Sequence, residues 1–137
     1  MLTNTTEQFV KFSEVDSLRV VWHGYYVRYF EDGREAFGKQ HNLGYLDVYQ
    51  HGLAVPLIDL EVKFKRPLEY GDTAIIETTF IDSPAAKLQF EYVIKSKTHG
   101  YIVCTGKTTQ VFMEPVSKEL YFTMPAFFEK WKLENYK

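Results

Sequence analysis

One cysteine, Cys104, stands among 137 residues, so no disulfide can form within the chain. No apolar run approaches the ~20 residues that span a bilayer. The first eight residues lack the basic start and apolar stretch of a secretory signal. A cytoplasmic, reducing setting is therefore expected. Neither sign of charge dominates, with 16 Lys and Arg against 18 Asp and Glu and a formal net charge of −2. A general nucleic-acid binder needs a basic face to neutralise phosphates, so this balance argues against one. His23, His41, His51 and His99 are scattered without zinc-site spacing, and there is no glycine-rich phosphate loop. No metal or cofactor is expected. Cys104 lies in the apolar run Tyr101-Ile102-Val103-Cys104 and reads as a small core residue rather than a nucleophile.

Aromatic residues are plentiful, at 17% with 11 Phe and 10 Tyr. Such a load fills a large core or covers a subunit interface. The length fits one domain, residues 1–137, and no repeat or linker divides it.

Hydrophobic periodicity orders the elements. Residues 9–14 read as a short strand, and 15–23 as turn-like. Over 24–43, Tyr26, Tyr29, Phe30, Gly33, Ala36, Phe37 and Gln40 recur at three- and four-residue steps, as one helix face requires. Gly33 and Gly38 each weaken a helix by roughly 1 kcal/mol relative to Ala; a sheet packed close against that face would explain them. Residues 45–53 read as a connection. Over 55–68, Ile58, Leu60, Val62 and Phe64 alternate with Asp59, Glu61, Lys63 and Lys65, the period of a strand with one face buried. Strands over 73–82, 88–97 and 101–113 follow, with turns at Tyr70-Gly71-Asp72, Ser83-Pro84-Ala85 and His99-Gly100, and 124–131 reads as a short helix. One long helix beside sequential antiparallel strands gives an α+β fold with the helix on one sheet face.

Chemistry concentrates in Glu14-Val15-Asp16, continuing to Val20-Val21-Trp22-His23-Gly24-Tyr25-Tyr26. An acid and a histidine lie seven apart, just before a helix. The first-turn amides of a helix have no intrahelical partners and sit at the positive end of its dipole. Such an end polarises a carbonyl, and a carboxylate beside it can attack that carbonyl or activate water. Asp and His are also common helix caps, so the spacing alone does not decide.

The segment resembles the N-terminal signature of the 4-hydroxybenzoyl-CoA thioesterase-like branch of the hot-dog superfamily. Glu14-Val15-Asp16 takes the place of its Asp-x-Asp, and Val20 to Tyr26 its second half. Phe64-Lys65-Arg66-Pro67-Leu68-Glu69-Tyr70-Gly71-Asp72 resembles the family's downstream motif, and the likeness runs over about residues 9–114. The resemblance implies a long central helix wrapped by a curved antiparallel sheet, acyl-CoA thioester hydrolysis on a short- or medium-chain or aromatic acyl group, and a homodimer or homotetramer with shared sites. It implies Asp16 as nucleophile or general base. It puts the oxyanion donor at a helix N-terminal amide, at His23 or a neighbour, with the His23 side chain able to position Asp16. Trp22, Gly24, Tyr25 and Tyr26 become candidates for substrate binding, and Lys63, Lys65 and Arg66 for the CoA phosphates. Glu14 reads as a solvated or structural carboxylate rather than a second catalyst. Two positions depart from the pattern. Arg19 stands where the family has a small residue, crowding the loop or pairing with Asp16, and Tyr25 stands where it has Asn or Ser. A hydratase on the same fold would carry its acid or His further into the helix, in a different motif. A non-catalytic member that binds acyl-CoA or acyl-carrier-protein thioesters is the alternative.

Overall fold

The computed structural model describes residues 1–136. Along the chain run β1 (Thr3–Phe9), a 3-10 turn (Phe12–Glu14), α1 (Tyr25–His41), α2 (Tyr45–Gln50), β2 (Leu57–Phe64), β3 (Thr73–Ile81), β4 (Lys87–Ser96), β5 (Ile102–Met113), β6 (Leu120–Tyr121) and α3 (Ala126–Asn135). The strands make one antiparallel sheet in the order β1-β3-β4-β5-β2, with β6 paired to the end of β5. Helix α1 lies on one face of it, as the α+β reading expected.

Helix α1 buries Tyr26, Tyr29, Phe30, Gly33, Phe37 and Gly38. The opposing strands bury alternate residues, among them Ile76, Thr78 and Phe80 of β3 and Leu88, Phe90 and Tyr92 of β4. Phe30 stacks on Tyr92 with ring centres 4.5 Å apart, and Phe37 meets Phe90 edge-on at 5.1 Å. At Gly33 a Cβ would overlap Thr78 and Ile76, so the close helix–sheet approach inferred from the sequence is real there. Gly38 has a different cause: it meets the backbone of Gly44, at the start of α2, rather than the sheet. Gln40 is exposed, not on the core face, and accepts a hydrogen bond from Asn4 Nδ2 at 2.7 Å.

Three element readings also need correction. The first strand is Thr3–Phe9, not residues 9–14, which lead into the 3-10 turn. Its sequence, TNTTEQF, suits an edge strand exposed on one face and half-buried on the other, so apolar alternation does not mark it. Residues 45–50 form α2 instead of a plain connection; the Asp47 Oδ2 carboxylate accepts the Gly44 N–H at 2.7 Å, three residues back, as a helix start prefers. Strand β2 is shorter than 55–68, and only Val62 within it is half-buried. Its apolar residues are uncovered because β2 is the outermost strand on that side of the sheet.

Candidate active site

Residues 10–24 carry the chain from β1 to the mouth of α1. Val10 is fully buried, and its N–H reaches the Asp72 carbonyl at 3.0 Å. The 3-10 turn swings Glu14 inward, where Oε1 accepts the Lys11 N–H at 2.8 Å and the Tyr29 hydroxyl at 3.0 Å. The Glu14 carbonyl accepts the Trp22 N–H at 2.9 Å. This one residue therefore ties the start of the loop, its end and the second turn of α1 together. A buried carboxyl without such donors would be strongly destabilising. Its role is structural, in keeping with the sequence reading.

Between these ties residues 15–21 fold back on themselves. Val15 bridges Val21, the Asp16 N–H donates to the Val20 carbonyl at 2.9 Å, and the Arg19 N–H to the Asp16 carbonyl at 3.0 Å. Asp16 Oδ1 accepts the Leu18 N–H at 2.8 Å, the local turn that short acidic side chains favour. Arg19 has φ 65°, in the left-handed region that glycine enters freely. Glycine would enter this backbone conformation with less strain than arginine does. Among the described residues no ion pair joins Arg19 to Asp16. The fold-back is fastened to the segment after β2: Val21 N–H donates to the Leu68 carbonyl at 2.8 Å, and Tyr70 N–H to the Arg19 carbonyl at 3.0 Å. The Asp16 side chain is exposed on the single chain.

Helix α1 opens at Tyr25 with no capping side chain and no acidic residue in its first turn. Its positive dipole end is therefore not neutralised locally. The Trp22 indole lies across Gly24, where any Cβ would run into it. His23 is exposed, with its ring 4.7 Å from that of Trp22 and 6.4 Å from that of Phe64. No hydrogen bond joins His23 to Asp16 among the described residues. Tyr26 is buried, and its ring sits 5.6 Å from that of Phe64. Burial pushes the Tyr26 phenol up to about 12, although hydrogen bonding to the Leu68 backbone pulls the other way. Burial, then the neighbouring Glu14, push the Tyr29 phenol further up still. Neither tyrosine is an acid or base near neutral pH. Tyr25 is half-buried and carries the Arg28 guanidinium 5.5 Å above its ring.

The structure thus gathers Trp22, His23, Gly24, Tyr25 and Tyr26 at one helix mouth and adds Phe64, which the sequence reading had placed only on a strand. Its alternation put it on one strand face with Leu60 and Val62; that this face is left uncovered and ends at the helix mouth depends on strand order. Lys63 points to the opposite sheet face and pairs with Glu61 at 3.4 Å. Lys65 and Arg66 follow Phe64; both backbone N–H groups reach the Val103 carbonyl, and both side chains are exposed, Arg66 lying over the Tyr101 ring at 5.2 Å. Lys95 and Lys97 are paired with Glu77 and Glu7. Cys104 is buried, with its thiol pushed up to about 12 by that burial, as befits a core residue. Among the described residues no three His, Cys, Asp or Glu side chains are grouped to hold a metal.

Comparison with known proteins agrees with this architecture. A model of the Thioesterase-like superfamily matches residues 10–131. The chain is 33% identical over 85 residues to the putative acyl-CoA thioesterase YneP of Bacillus subtilis (strain 168), a match covering 62% of each protein's length. It is 27% identical over 110 residues to a putative esterase of Aquifex aeolicus (strain VF5), covering 74% of this chain and 86% of that one. The structure superposes on DHNA-CoA thioesterase from Staphylococcus aureus with a TM-score of 0.86 at 22% identity, covering 98% of this chain and 91% of the other. It superposes on a mutant 4-hydroxybenzoyl CoA thioesterase complexed with 4-hydroxybenzoyl CoA with a TM-score of 0.82 at 18% identity, covering 96% and 99%. At those identities the superpositions speak for the fold. With the family match spanning most of its length, the chain belongs to the thioesterase-like superfamily and carries the α+β hot-dog fold, a long helix wrapped by an antiparallel sheet.

Proposed function

We propose that this protein hydrolyses acyl-CoA thioesters, with Asp16 as the catalytic carboxylate. One observation carries the reading: the Asp16 loop is clamped, through Glu14 and Trp22, to the uncapped N-terminus of α1. A thioester carbonyl entering there would turn its oxygen to the backbone amides of His23 and Gly24, which lead into the first turn of α1, and its carbon toward Asp16. The amides stabilise the oxyanion as it develops. Asp16 either attacks the carbonyl carbon, giving a mixed anhydride that water then hydrolyses, or takes a proton from the attacking water; on both routes the CoA thiolate leaves and the acyl group departs as its acid. Trp22, Tyr25, Tyr26 and Phe64 would wall the acyl group at its thioester end, and His23 would orient the reacting groups. Lys65 and Arg66 would meet the CoA phosphates, whereas Lys63, paired on the other face, is the least suited of the three.

The function of the relatives supports this reading, since YneP is named a putative acyl-CoA thioesterase. The site would be completed by a second copy, because the inner face of β2 and its free edge lie bare beside it. Asp16→Asn is expected to lower kcat by at least ~100-fold on whichever acyl-CoA the wild type cleaves best, as loss of a positioned acid–base or nucleophilic group does. Release of free thiol from a panel of acyl-CoA esters measures it, with circular dichroism confirming the fold. A fully active Asp16→Asn protein would remove Asp16 from the mechanism. A wild type that binds acyl-CoA and cleaves none would favour the non-catalytic alternative.

A further inference from the structure

Away from the helix mouth, a cavity of about 670 Å³ opens between the middle of α1, helix α2 and the inner ends of β4 and β5. That volume suits a small-molecule site. Leu43, Val48, Val55, Leu88 and Phe90 supply apolar lining. Four charged side chains of α1 also line it: Glu31, Arg34, Glu35 and Lys39. Glu35 and Lys39 pair with each other at 3.5 Å. Arg34 is half-buried and makes no ion pair among the described residues. Its Nη1 donates to the Tyr92 hydroxyl at 3.0 Å, and Tyr92 is held in turn by Thr108 Oγ1 at 2.6 Å. Tyr92 and Thr108 are both 1% exposed. A rigid buried chain of hydrogen bonds therefore orients a guanidinium whose remaining donors are uncommitted to protein carboxylates. Glu31 lies three residues before it, on the same side of the helix.

We propose that this cavity binds the far end of a medium-chain acyl group bearing a terminal hydroxyl. A neutral hydroxyl accepts from Arg34 and donates to Glu31 at once. A terminal carboxylate would set a second negative charge beside Glu31. A bare methyl end would take water from Arg34 and give nothing back. Nine residues separate Tyr25 from Arg34, about 14 Å along the helix. A medium-length acyl chain with its thioester at the helix mouth is long enough to reach it. This inference rests on the thioesterase reading for the ligand's other end.

The test separates the two. Calorimetry with the free acids needs no catalysis: ω-hydroxydodecanoic acid is expected to bind wild type at least about tenfold more tightly than dodecanoic acid, as one charge-assisted hydrogen bond provides. In Arg34→Met, which keeps most of the side-chain bulk, the ratio is expected to fall within about twofold of unity. Equal wild-type affinities, tighter binding of dodecanedioic acid, or a preference that survives in Arg34→Met would each overturn the proposal. Butyryl-CoA, too short to reach Arg34, reports on the parent reading alone: failure of wild type to cleave it or any other acyl-CoA sinks the thioesterase assignment, while calorimetry still decides what the cavity binds.

Discussion

Arg19 shows how much one backbone angle explains. At φ 65° an L-residue is less stable than glycine by roughly 1–2 kcal/mol. Glycine gives part of this back through the greater freedom of its unfolded chain, about 0.4–1 kcal/mol. Arg19→Gly is therefore expected to leave the urea midpoint unchanged or raise it, by up to about 1 kcal/mol of unfolding free energy. A loss larger than that would mean the guanidinium makes a stabilising contact in solution. The departure at Arg19 was visible in the sequence, but its physical content was not. The sequence suggests that Arg19 crowds the loop or pairs with Asp16, whereas the structure shows a left-handed backbone there and, among the described residues, no such ion pair. Nothing in residue type announces a positive φ at an arginine, because the turn is imposed by the strand-like contacts of Val15, Val20 and Val21 around it.

At the scale of elements, the Gly71-Asp72 turn is a structural device. Gly71 takes φ 92°, and Asp72 is buried behind it. The Asp72 carboxyl accepts from Thr73 N–H at 2.7 Å, Thr98 N–H at 3.1 Å, Thr98 Oγ1 at 2.8 Å and the Ser96 hydroxyl, joining the start of β3 to the β4–β5 turn. Burial pushes this carboxyl up, but the hydrogen bonds outweigh burial and hold it below the usual aspartate value. A depressed folded pKa stabilises the fold fully above the unfolded value, about 3.9, and the contribution is lost as pH falls through the lower folded value. Asp72→Asn is expected to lower stability by about 2 kcal/mol near neutral pH, with the gap to wild type closing below about pH 4. Urea unfolding across a pH series reads this directly, and a gap that persists into strong acid would mean that the charge is not the cause. The turn itself was legible from Tyr70-Gly71-Asp72. Its ties to Ser96 and Thr98 were not, since they span more than twenty residues and depend on the β3–β4 pairing.

For the whole molecule, the bare side of β2 is an exposed apolar surface at the edge of the sheet. Leu57, Ile58, Leu60 and Phe64 are all at least 40% exposed, and one edge of the strand has no partner in the sheet. Exposed apolar edge strands invite pairing with another chain. Two copies are expected to join there, consistent with the aromatic excess and the partner-completed site proposed above. Ile58→Lys with Leu60→Lys is expected to give monomers by light scattering and to lower thioesterase activity with them. A wild type that is already monomeric would show that β2 stays bare and that each chain works alone.

Local information was enough for the long helix, the four main strands and the family, because periodicity and motif spacing are properties of neighbouring residues. It was not enough for the true first strand, whose polar residues carry no pattern, or for α2, whose six residues are too few to show one. Tertiary structure alone decided that β2 lies at the outside of the sheet, that Phe64 and not Lys63 meets the helix mouth, and that Arg34 stands over a cavity. These facts follow from strand order and from which sheet face α1 covers, and both arise from contacts between residues far apart in the chain.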